Sequence, residues 1–468
     1  MGRRRWSGES VMAHLRGCLA RAGARLCIAL AAFALPSLAR ANGAFPDEFS
    51  IHFPASAPHR ILVGANFGLL VTEDDGRTWR YACEPWICEG SSAALGMFNV
   101  AFYQLTADDV ILAQSANIVR SADDACTWPI SGGAVSGKVI TDIFADPNDA
   151  TFVVAIVLTT TGGSAVLASH DGGKNFDDPP IYETNELLTG IEISRTLPRV
   201  IYAASVPQSG PGATLLRSDD SGMTWNPTPL DIPSGTEPLI VAIDPADADT
   251  VYFRVVGALT DSIWITTNGG PNFASSLSIN GQFNAFLRAG DGTLYAGELA
   301  GVLHVRAPGA TTWTSHAAPH FRCLGQRPGT SRIYACGDMG IDGFSVGYSD
   351  DGAATFHPLM SFTDLLGLLT CAPVSDNCQA HWQRIQGVLG ITPTDGGVPD
   401  AGPTDGGPTD AGTTDAGPSS DGGTPPPPPH SGSSGCSATD GGVASVLGLV
   451  AFFVLWSVSA GRFRSGDR

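Results

Sequence analysis

Three carboxylates and three arginines are the residues whose types could do chemistry together in this chain. Asp142, Glu192 and Glu298 could supply the two carboxylates, several ångströms apart, that cleave a glycosidic bond. Three arginines on expected strands could hold a substrate carboxylate, but they occupy different registers: Arg254, Arg288 and Arg322. The sequence shows no ordered Ser, His and Asp set, no phosphate-binding glycine loop and no metal-ligand cluster. A secreted glycoside hydrolase is therefore the enzymatic alternative, with no cofactor or metal expected.

The elements that must position these residues are organised by an octapeptide, here called the corner motif. Ser218 to Trp225 reads SDDSGMTW, and related octapeptides begin at residues 72, 121, 169, 266, 306 and 349. Each copy closes on an aromatic residue, at intervals of 40 to 49 residues: Trp79, Trp128, Phe176, Trp225, Phe273, Trp313 and Phe356. Such a near-constant period predicts a repeat architecture.

The corner motif is typical of a hairpin corner with a core anchor. Its acidic residue can accept hydrogen bonds from turn N–H groups, its glycine supplies a positive φ, and its aromatic residue enters the core. The acidic and glycine positions are Asp74, Gly76, Asp123, Asp171, Gly173, Asp220, Gly222, Asn268, Gly270 and Asp351. Ala125 and Ala353 stand at glycine positions and the copy at 306 lacks both features, so less regular turns are expected there.

This pattern resembles the Asp-box, or bacterial neuraminidase, repeat of sialidases, sortilin-type receptors, some glucanases and photosystem assembly factors. The resemblance covers roughly residues 45 to 360 and implies a β-propeller in which the motif joins the third and fourth strands of each blade. That family contains both enzymes and binders, so the resemblance does not imply an activity. The Phe/Tyr-Arg-Ile-Pro segment of sialidases is absent.

Four short apolar runs per repeat, separated by Gly, Asp, Pro and Asn, predict four strands in each unit. We therefore expect an all-β fold, a seven-bladed β-propeller of four-stranded blades, with an open solenoid as the alternative. The sequence does not decide whether residues 48–53 or residues 364–370 supply the strand that closes the ring. A short C-terminal helix is expected from Asp376, as its cap, to Leu389, with Trp382, Ile385 and Leu389 on one face.

Composition excludes one class of partner. The formal net charge is -19 and the pI is near 4.7, whereas nonspecific nucleic-acid binding depends on Lys and Arg.

Residues 1–41 read as a signal peptide, with an arginine-rich start, an apolar stretch and an A-x-A cleavage site ending at Ala41. The protein is therefore expected to be exported.

An oxidising compartment makes disulfides the expected state of the cysteines between residues 42 and 391. Cys323 and Cys336 fall on neighbouring strands of one blade, and Cys371 and Cys378 bracket a short loop and tie the C-terminal helix. Three further cysteines leave one odd thiol, and their pairing stays open: Cys83, Cys88 and Cys126. Zinc binding is the rival reading, but no paired CxxC or histidine cluster accompanies them.

The C-terminal part of the chain contains two segments of distinct composition. Residues 392–435 are rich in Asp, Gly, Pro and Thr and predict a disordered acidic linker, with a calcium-binding repeat as the alternative. Residues 442–461 are uncharged and long enough to span a bilayer, and arginines follow them. With Cys436 before this span and arginines after it, residues 431–468 resemble the C-terminal sorting signal of myxobacterial surface proteins. That resemblance implies processing at Cys436 by a sorting protease; an ordinary single-span anchor is the alternative.

The propeller with this signal also resembles uncharacterised myxobacterial cell-surface propellers, through Trp79 to Glu84 and through Cys126. That likeness implies a Cys83–Cys126 bridge, with Cys88 as the extra thiol. The expected domains are thus a signal peptide, a propeller over 42–391, a linker and an anchor.

The expected function is non-enzymatic recognition of an extracellular protein or glycan at the cell surface. Three candidate binding stretches are 162–169, 208–213 and 338–343.

Overall fold

The computed structural model describes residues 48–88, 102–114, 117–196 and 198–391. The expected signal peptide with Ala41, the acidic linker, Cys436 and the apolar segment 442–461 lie outside these residues. Within these ranges, no helix combines the length and the apolar character needed to cross a bilayer.

In the described part of the chain, seven mainly antiparallel sheets of three to five strands follow one another, and we call them blades 1 to 7. Blades 1 and 2 contain β1 (Glu48–His52), β2 (Ile61–Ala65), β3 (Gly68–Thr72), β4 (Trp79–Cys83), β5 (Phe102–Leu105), β6 (Ile111–Gln114) and β7 (Ile118–Ser121). Blade 2 has three strands, and its fourth is reduced to a bridge between Val119 and Ile130. Next come β8 (Gly132–Gly133) and blade 3, with β9 (Ile140–Ala145), β10 (Val153–Leu158), β11 (Ser164–Ser169) and β13 (Tyr182–Thr184). Between β11 and β13, β12 (Asn175–Phe176) pairs in parallel with β8.

The next two blades have four strands each. Blade 4 contains β14 (Leu187–Ile193), β15 (Ile201–Val206), β16 (Thr214–Ser218) and β17 (Asn226–Pro229). Blade 5 contains β18 (Glu237–Asp244), β19 (Asp247–Val256), β20 (Asp261–Thr266) and β21 (Phe273–Ile279).

Blades 6 and 7 repeat this arrangement. Blade 6 contains β22 (Phe283–Arg288), β23 (Leu294–Glu298), β24 (Val302–Arg306) and β25 (Thr314–Ala317). Blade 7 contains β26 (Cys323–Gln326), β27 (Ile333–Cys336), β28 (Val346–Ser349) and β29 (His357–Met360), and β30 (Leu365–Leu368) follows it. The helices are α1 (Glu84–Ile87), α2 (Met339–Asp342), a 3₁₀ turn (Phe362–Asp364) and α3 (Ala372–Leu389).

The first strands of the seven blades contact one another in a closed circle. Contacts run from β1 to β5, β9, β14, β18, β22 and β26, and from β26 back to β1. The predicted seven-bladed all-β propeller is therefore confirmed. Both faces of most blades pack against a neighbour, which explains why strands such as β10 are apolar almost throughout, with five of six residues buried.

Both candidate closing segments join blade 1, in different places. Residues Glu48–His52 form its innermost strand, antiparallel to β2. Strand β30 pairs in parallel with the outer strand β4, which makes blade 1 five-stranded. The propeller therefore begins at the inner edge of blade 1 and ends at its outer edge.

Helix α3 begins four residues earlier than expected. Cys371 is its N-cap and Pro373 lies in the first turn, where proline costs no hydrogen bond, so the expected cap Asp376 is wrong. Trp382 and Ile385 are buried as predicted, and the helix packs against β4 and β30. Gly390 ends it with a φ of 69°.

The described part of the chain contains three disulfides, and two expected pairings are wrong. Cys323 and Cys336 are bridged on facing positions of β26 and β27. Cys378 is bonded to Cys83 and Cys371 to Cys126, so neither a Cys371–Cys378 nor a Cys83–Cys126 bridge exists. Seven residues of helix separate the two α3 cysteines by about 10.5 Å, too far for a bridge between them. Cys88 is buried and takes part in none of these three bridges.

Candidate functional site

Each regular corner motif is a closed hydrogen-bonded unit. Ser218 Oγ donates to Asp220 Oδ1 at 2.8 Å and accepts from the Gly222 amide at 2.7 Å. The Thr224 amide and hydroxyl donate to the two oxygens of Asp220 at 2.8 and 2.6 Å. The Trp225 indole donates to the Gly222 carbonyl at 3.0 Å. Both carboxylate oxygens of Asp220 thus accept hydrogen bonds from residues of their own turn, which indicates a structural role.

The same network forms around Asp74, Asp123, Asp171 and Asp351, and in part around Asn268. Ala125 and Ala353 adopt φ angles of 67° and 66° and donate their amides to Ser121 and Ser349, as glycine does elsewhere. The expectation of irregular turns at these alanines is therefore wrong, because the hydrogen bonds hold them in the left-handed region. The copy at residues 306–313 does lack the network, and its Trp313 indole instead donates to Ser276.

The aromatic anchors enter the core to different depths. Trp79, Trp128 and Phe176 are at most 2% exposed. The other four are half-buried: Trp225, Phe273, Trp313 and Phe356. Hydrogen bonds from Thr224 and Thr355 hold the pKa of Asp220 and of Asp351 below their ordinary values. These aspartates therefore stay ionised as acceptors of their corners.

An axial cavity of about 720 Å³ opens on the face that carries the corner motifs. Because blade strands alternate in direction, the turn after the first strand and the corner after the third lie on the same face. All seven first strands contribute to the wall: His52, Gln104, Leu105, Phe144, Glu192, Ile193, Ile243, Arg288 and Gln326. The turns that follow these strands form the rim, with Pro147, Arg195, Pro245, Asp291, Pro328 and Ser331.

Arginine–aspartate pairs join neighbouring blades on this face and fix the cavity wall. Arg288 at the end of β22 donates from Nε to Asp244 Oδ2 of blade 5 at 2.9 Å and from Nη1 to the Ala289 carbonyl at 2.9 Å. Arg327 of blade 7 lies 2.8 Å from Asp75 of blade 1. Similar pairs cross other blade boundaries: Arg60 with Asp124, Arg199 with Asp146 and Asp149, and Arg217 with Asp249.

The three candidate carboxylates do not form one catalytic pair. Asp142 is buried and its Oδ2 accepts from the Ile191 amide of the next blade at 3.0 Å. Glu298 contacts His304 Nε2 at 2.6 Å within blade 6. Only Glu192 lines the axial cavity. Asp291, the carboxylate on the rim, accepts hydrogen bonds from both the amide and the hydroxyl of Thr293.

The three candidate arginines do not converge either. Arg254 is fully buried in blade 5 in an ion pair with Asp261, whose Oδ2 also accepts from the Phe283 amide of blade 6. Burial lowers the pKa of Arg254 and raises that of Asp261. Arg288 lies on the corner face, whereas Arg322 precedes β26 at the opposite face and pairs with Asp338. No shared carboxylate clamp results.

The expected binding stretches lie away from the cavity. Residues 164–169 are the buried strand β11 rather than a loop. Residues 208–213 and 338–343 connect second to third strands and therefore lie on the face opposite the corner motifs. Within the described ranges, no group of three His, Cys, Asp or Glu side chains is placed to hold a metal ion.

The residues that sequence analysis missed are those of the rim, such as Arg195, Asp291 and Tyr295. Each follows the end of a first strand or faces it from the next strand. The turn after the first strand recurs in every repeat, and this recurrence could have indicated these residues. The repeat period alone does not show which face of the propeller carries the cavity.

The strand topology thus defines a seven-bladed β-propeller with one axial cavity on its corner face. No family model matches the chain, and no curated protein matches it. The Dos1 propeller aligns with 10% identity and a TM-score of 0.46, covering 66% of this chain and 82% of that chain. The GH74 enzyme of Niastella koreensis aligns with 11% identity and a TM-score of 0.37, covering 66% of this chain and 58% of the enzyme.

A further solved structure, YCF48 bound to D1 peptide, aligns with 18% identity and a TM-score of 0.34, covering 48% of this chain and 67% of that chain. This chain spans little more than half of the length of the Niastella enzyme.

Proposed function

We propose that the propeller is an extracellular recognition module that holds a protein segment or a glycan in its axial cavity. One observation carries this proposal: all seven blades contribute to a single cavity of about 720 Å³. That volume lies in the range that holds small ligands or the end of a larger one. The wall combines apolar side chains such as Phe144 and Ile193 with the charged Glu192 and Arg288.

Preorganisation supports recognition at this site. Asp244 and the Ala289 carbonyl fix the guanidinium of Arg288 before any ligand arrives, so little side-chain freedom is lost on binding. The inter-blade ion pairs likewise hold the rim turns in place. Glycoside hydrolysis, the enzymatic alternative, is less well supported because Glu192 is the only one of the expected carboxylates in the cavity.

The location of the protein forms part of the proposal. The corner motif is an Asp-box, residues 1–41 direct export, and the acidic linker 392–435 displays the propeller on a stalk above the segment 442–461. A sorting protease acts at Cys436. Mass spectrometry of the mature protein tests this: the expected chain starts after Ala41 and ends near Cys436. A chain that keeps either terminal segment would contradict the corresponding step.

Binding is tested on the full chain with a glycan array and a library of immobilised peptides. Ser331 is exposed on the rim, so Ser331→Trp should obstruct the cavity and weaken binding at least about tenfold. Thr160 is exposed in the turn after β10 on the opposite face, so Thr160→Trp is the matched control and should bind as the natural chain does. The reverse pattern would assign binding to the opposite face. Turnover of a fluorogenic sialoside or glucan would favour the hydrolase instead.

A further inference from the structure

Blade 6 places a carboxylate, an imidazole and a hydroxyl in one hydrogen-bonded chain. His304 Nε2 lies 2.6 Å from Glu298 Oε1, and His304 Nδ1 lies 2.7 Å from Ser315 Oγ. An ionised carboxylate only accepts hydrogen bonds, so neutral His304 carries its proton on Nε2. Nδ1 then has a free lone pair, and the Ser315 hydroxyl donates to it. The tautomer thus makes His304 a base toward Ser315.

The three groups differ in their exposure to solvent. His304 is 7% exposed and meets the edge of Phe283 at 5.7 Å between ring centroids, and the Glu298 side chain is 12% exposed. Ser315, in contrast, is exposed on β25. A shielded base held by a carboxylate, next to a solvent-facing hydroxyl, is the arrangement that activates a serine nucleophile.

The strand ladder adds a hydrogen-bond donor beside this hydroxyl. Ser315 faces His304 across β24 and β25, and the Ala318 amide donates to the Gly301 carbonyl at 3.0 Å in the same register. Hydrogen-bonded pairs alternate along an antiparallel ladder, so His304 and Ser315 form a non-hydrogen-bonded pair. The Ser315 N–H therefore points away from β24, at the open edge of the outermost strand of the blade 6 sheet. A backbone N–H at the nucleophile can stabilise an oxyanion.

We propose that Ser315, His304 and Glu298 form a nucleophile–base–carboxylate triad that cleaves small carboxylic esters at this edge. Ser315 Oγ attacks the ester carbonyl while His304 Nδ1 takes its proton, and the Ser315 N–H binds the resulting oxyanion. The carbon–oxygen bond to the alcohol breaks as His304 returns the proton to the leaving oxygen. Water then attacks the acyl-serine with His304 as base, which releases the carboxylic acid and restores Ser315. Glu298 positions the imidazole throughout.

This activity goes beyond the proposed recognition and uses a different part of the molecule. The three residues lie on β23, β24 and β25, outside the axial cavity wall. The imidazole is turned around relative to the serine protease arrangement, because Nδ1 rather than Nε2 faces the serine. The order Glu, His, Ser across three strands leaves no local motif, which is why the sequence did not reveal it.

A fluorophosphonate probe on the full chain tests the triad, with the labelled peptide identified by mass spectrometry. Ser278 is the internal control, since it is an exposed serine on β21, the outermost strand of blade 5. Labelling at Ser315 should exceed that at Ser278 by at least about 100-fold, as expected of a base-activated nucleophile. Equal labelling at the two serines would overturn the proposal without the need for any variant.

Variants then separate the roles. Ser315→Ala and His304→Gln should abolish labelling and hydrolysis of p-nitrophenyl acetate, whereas Ser278→Ala should leave both unchanged. Glu298→Gln should slow labelling, and Glu298→Asp should restore part of the rate, which loss of folding alone would not produce. The unfolding temperature of each variant is measured alongside. Unchanged hydrolysis in a folded His304→Gln chain would contradict the role of the imidazole.

Discussion

Cys378 in α3 is bonded to Cys83 at the end of β4, with 5.5 Å between their Cα atoms and 295 residues between them in the chain. The second bridge, from Cys371 to Cys126, joins the start of the same helix to the corner of blade 2. Helix α3 therefore fastens the end of the propeller to its first two blades. The Cys83–Cys378 disulfide and the pairing between β30 and β4 thus both join the end of the propeller to blade 1.

The two bridges of α3 should act non-additively on stability. While one remains, removing the other frees a loop of only about fifty residues, because the remaining bridge still joins the helix to the ring. Cys83→Ala with Cys378→Ala should therefore cost about 2–4 kcal/mol in the free energy of unfolding. Removing all four cysteines should cost about 1 kcal/mol or more beyond the sum of the two pairs. Urea titrations measure this, and simple additivity would contradict the shared role.

Asp220 should contribute more to the free energy of unfolding than its neighbour Asp219 does. Asp220→Ala removes the acceptor of two Thr224 bonds and of the Ser218 hydroxyl, so it should lower the free energy of unfolding by more than the loss of a surface ion pair does. Asp220→Asn should cost less, since Asn268 accepts two of the three equivalent bonds in blade 5. Asp219→Asn, the control, loses only a surface pair with Arg217 and should cost at most about 1 kcal/mol. Chemical denaturation ranks the three, and equal costs would refute the corner role.

His381 should make stability depend on pH. Burial, and secondarily the charge of Arg384, lower the pKa of His381 to about 4 from the ordinary 6.5. The unfolded chain therefore binds a proton that the folded chain resists, so stability is full above pH 6.5 and falls as the pH drops toward 4. The unfolding temperature of the natural chain should decline between pH 6.5 and 5. His381→Gln should lack most of that decline; an identical pH profile in the variant would disprove the assignment.

The blades were predictable because their causes are local. A corner such as Ser218 to Trp225 closes its own hydrogen bonds, so its residue types reveal its structure and its period reveals the blade count. The partners of Cys371 and Cys378 were not predictable, because they lie 245 and 295 residues away and depend on where α3 docks. The axial cavity and the pairing of His304 with Ser315 likewise arise from neighbouring strands and blades, which a single repeat does not encode.

Hydrogen–deuterium exchange of the full chain, with and without the strongest ligand from the arrays, shows whether the axial cavity binds that ligand. We expect slower exchange on ligand binding in the turns after the first strands, at residues 146–150, 194–200, 289–293 and 327–332, which belong to four different blades. Unchanged exchange is predicted at residues 159–163, 207–213 and 338–343 on the opposite face. Protection confined to those opposite loops would show that the axial cavity of the corner face is not the binding site.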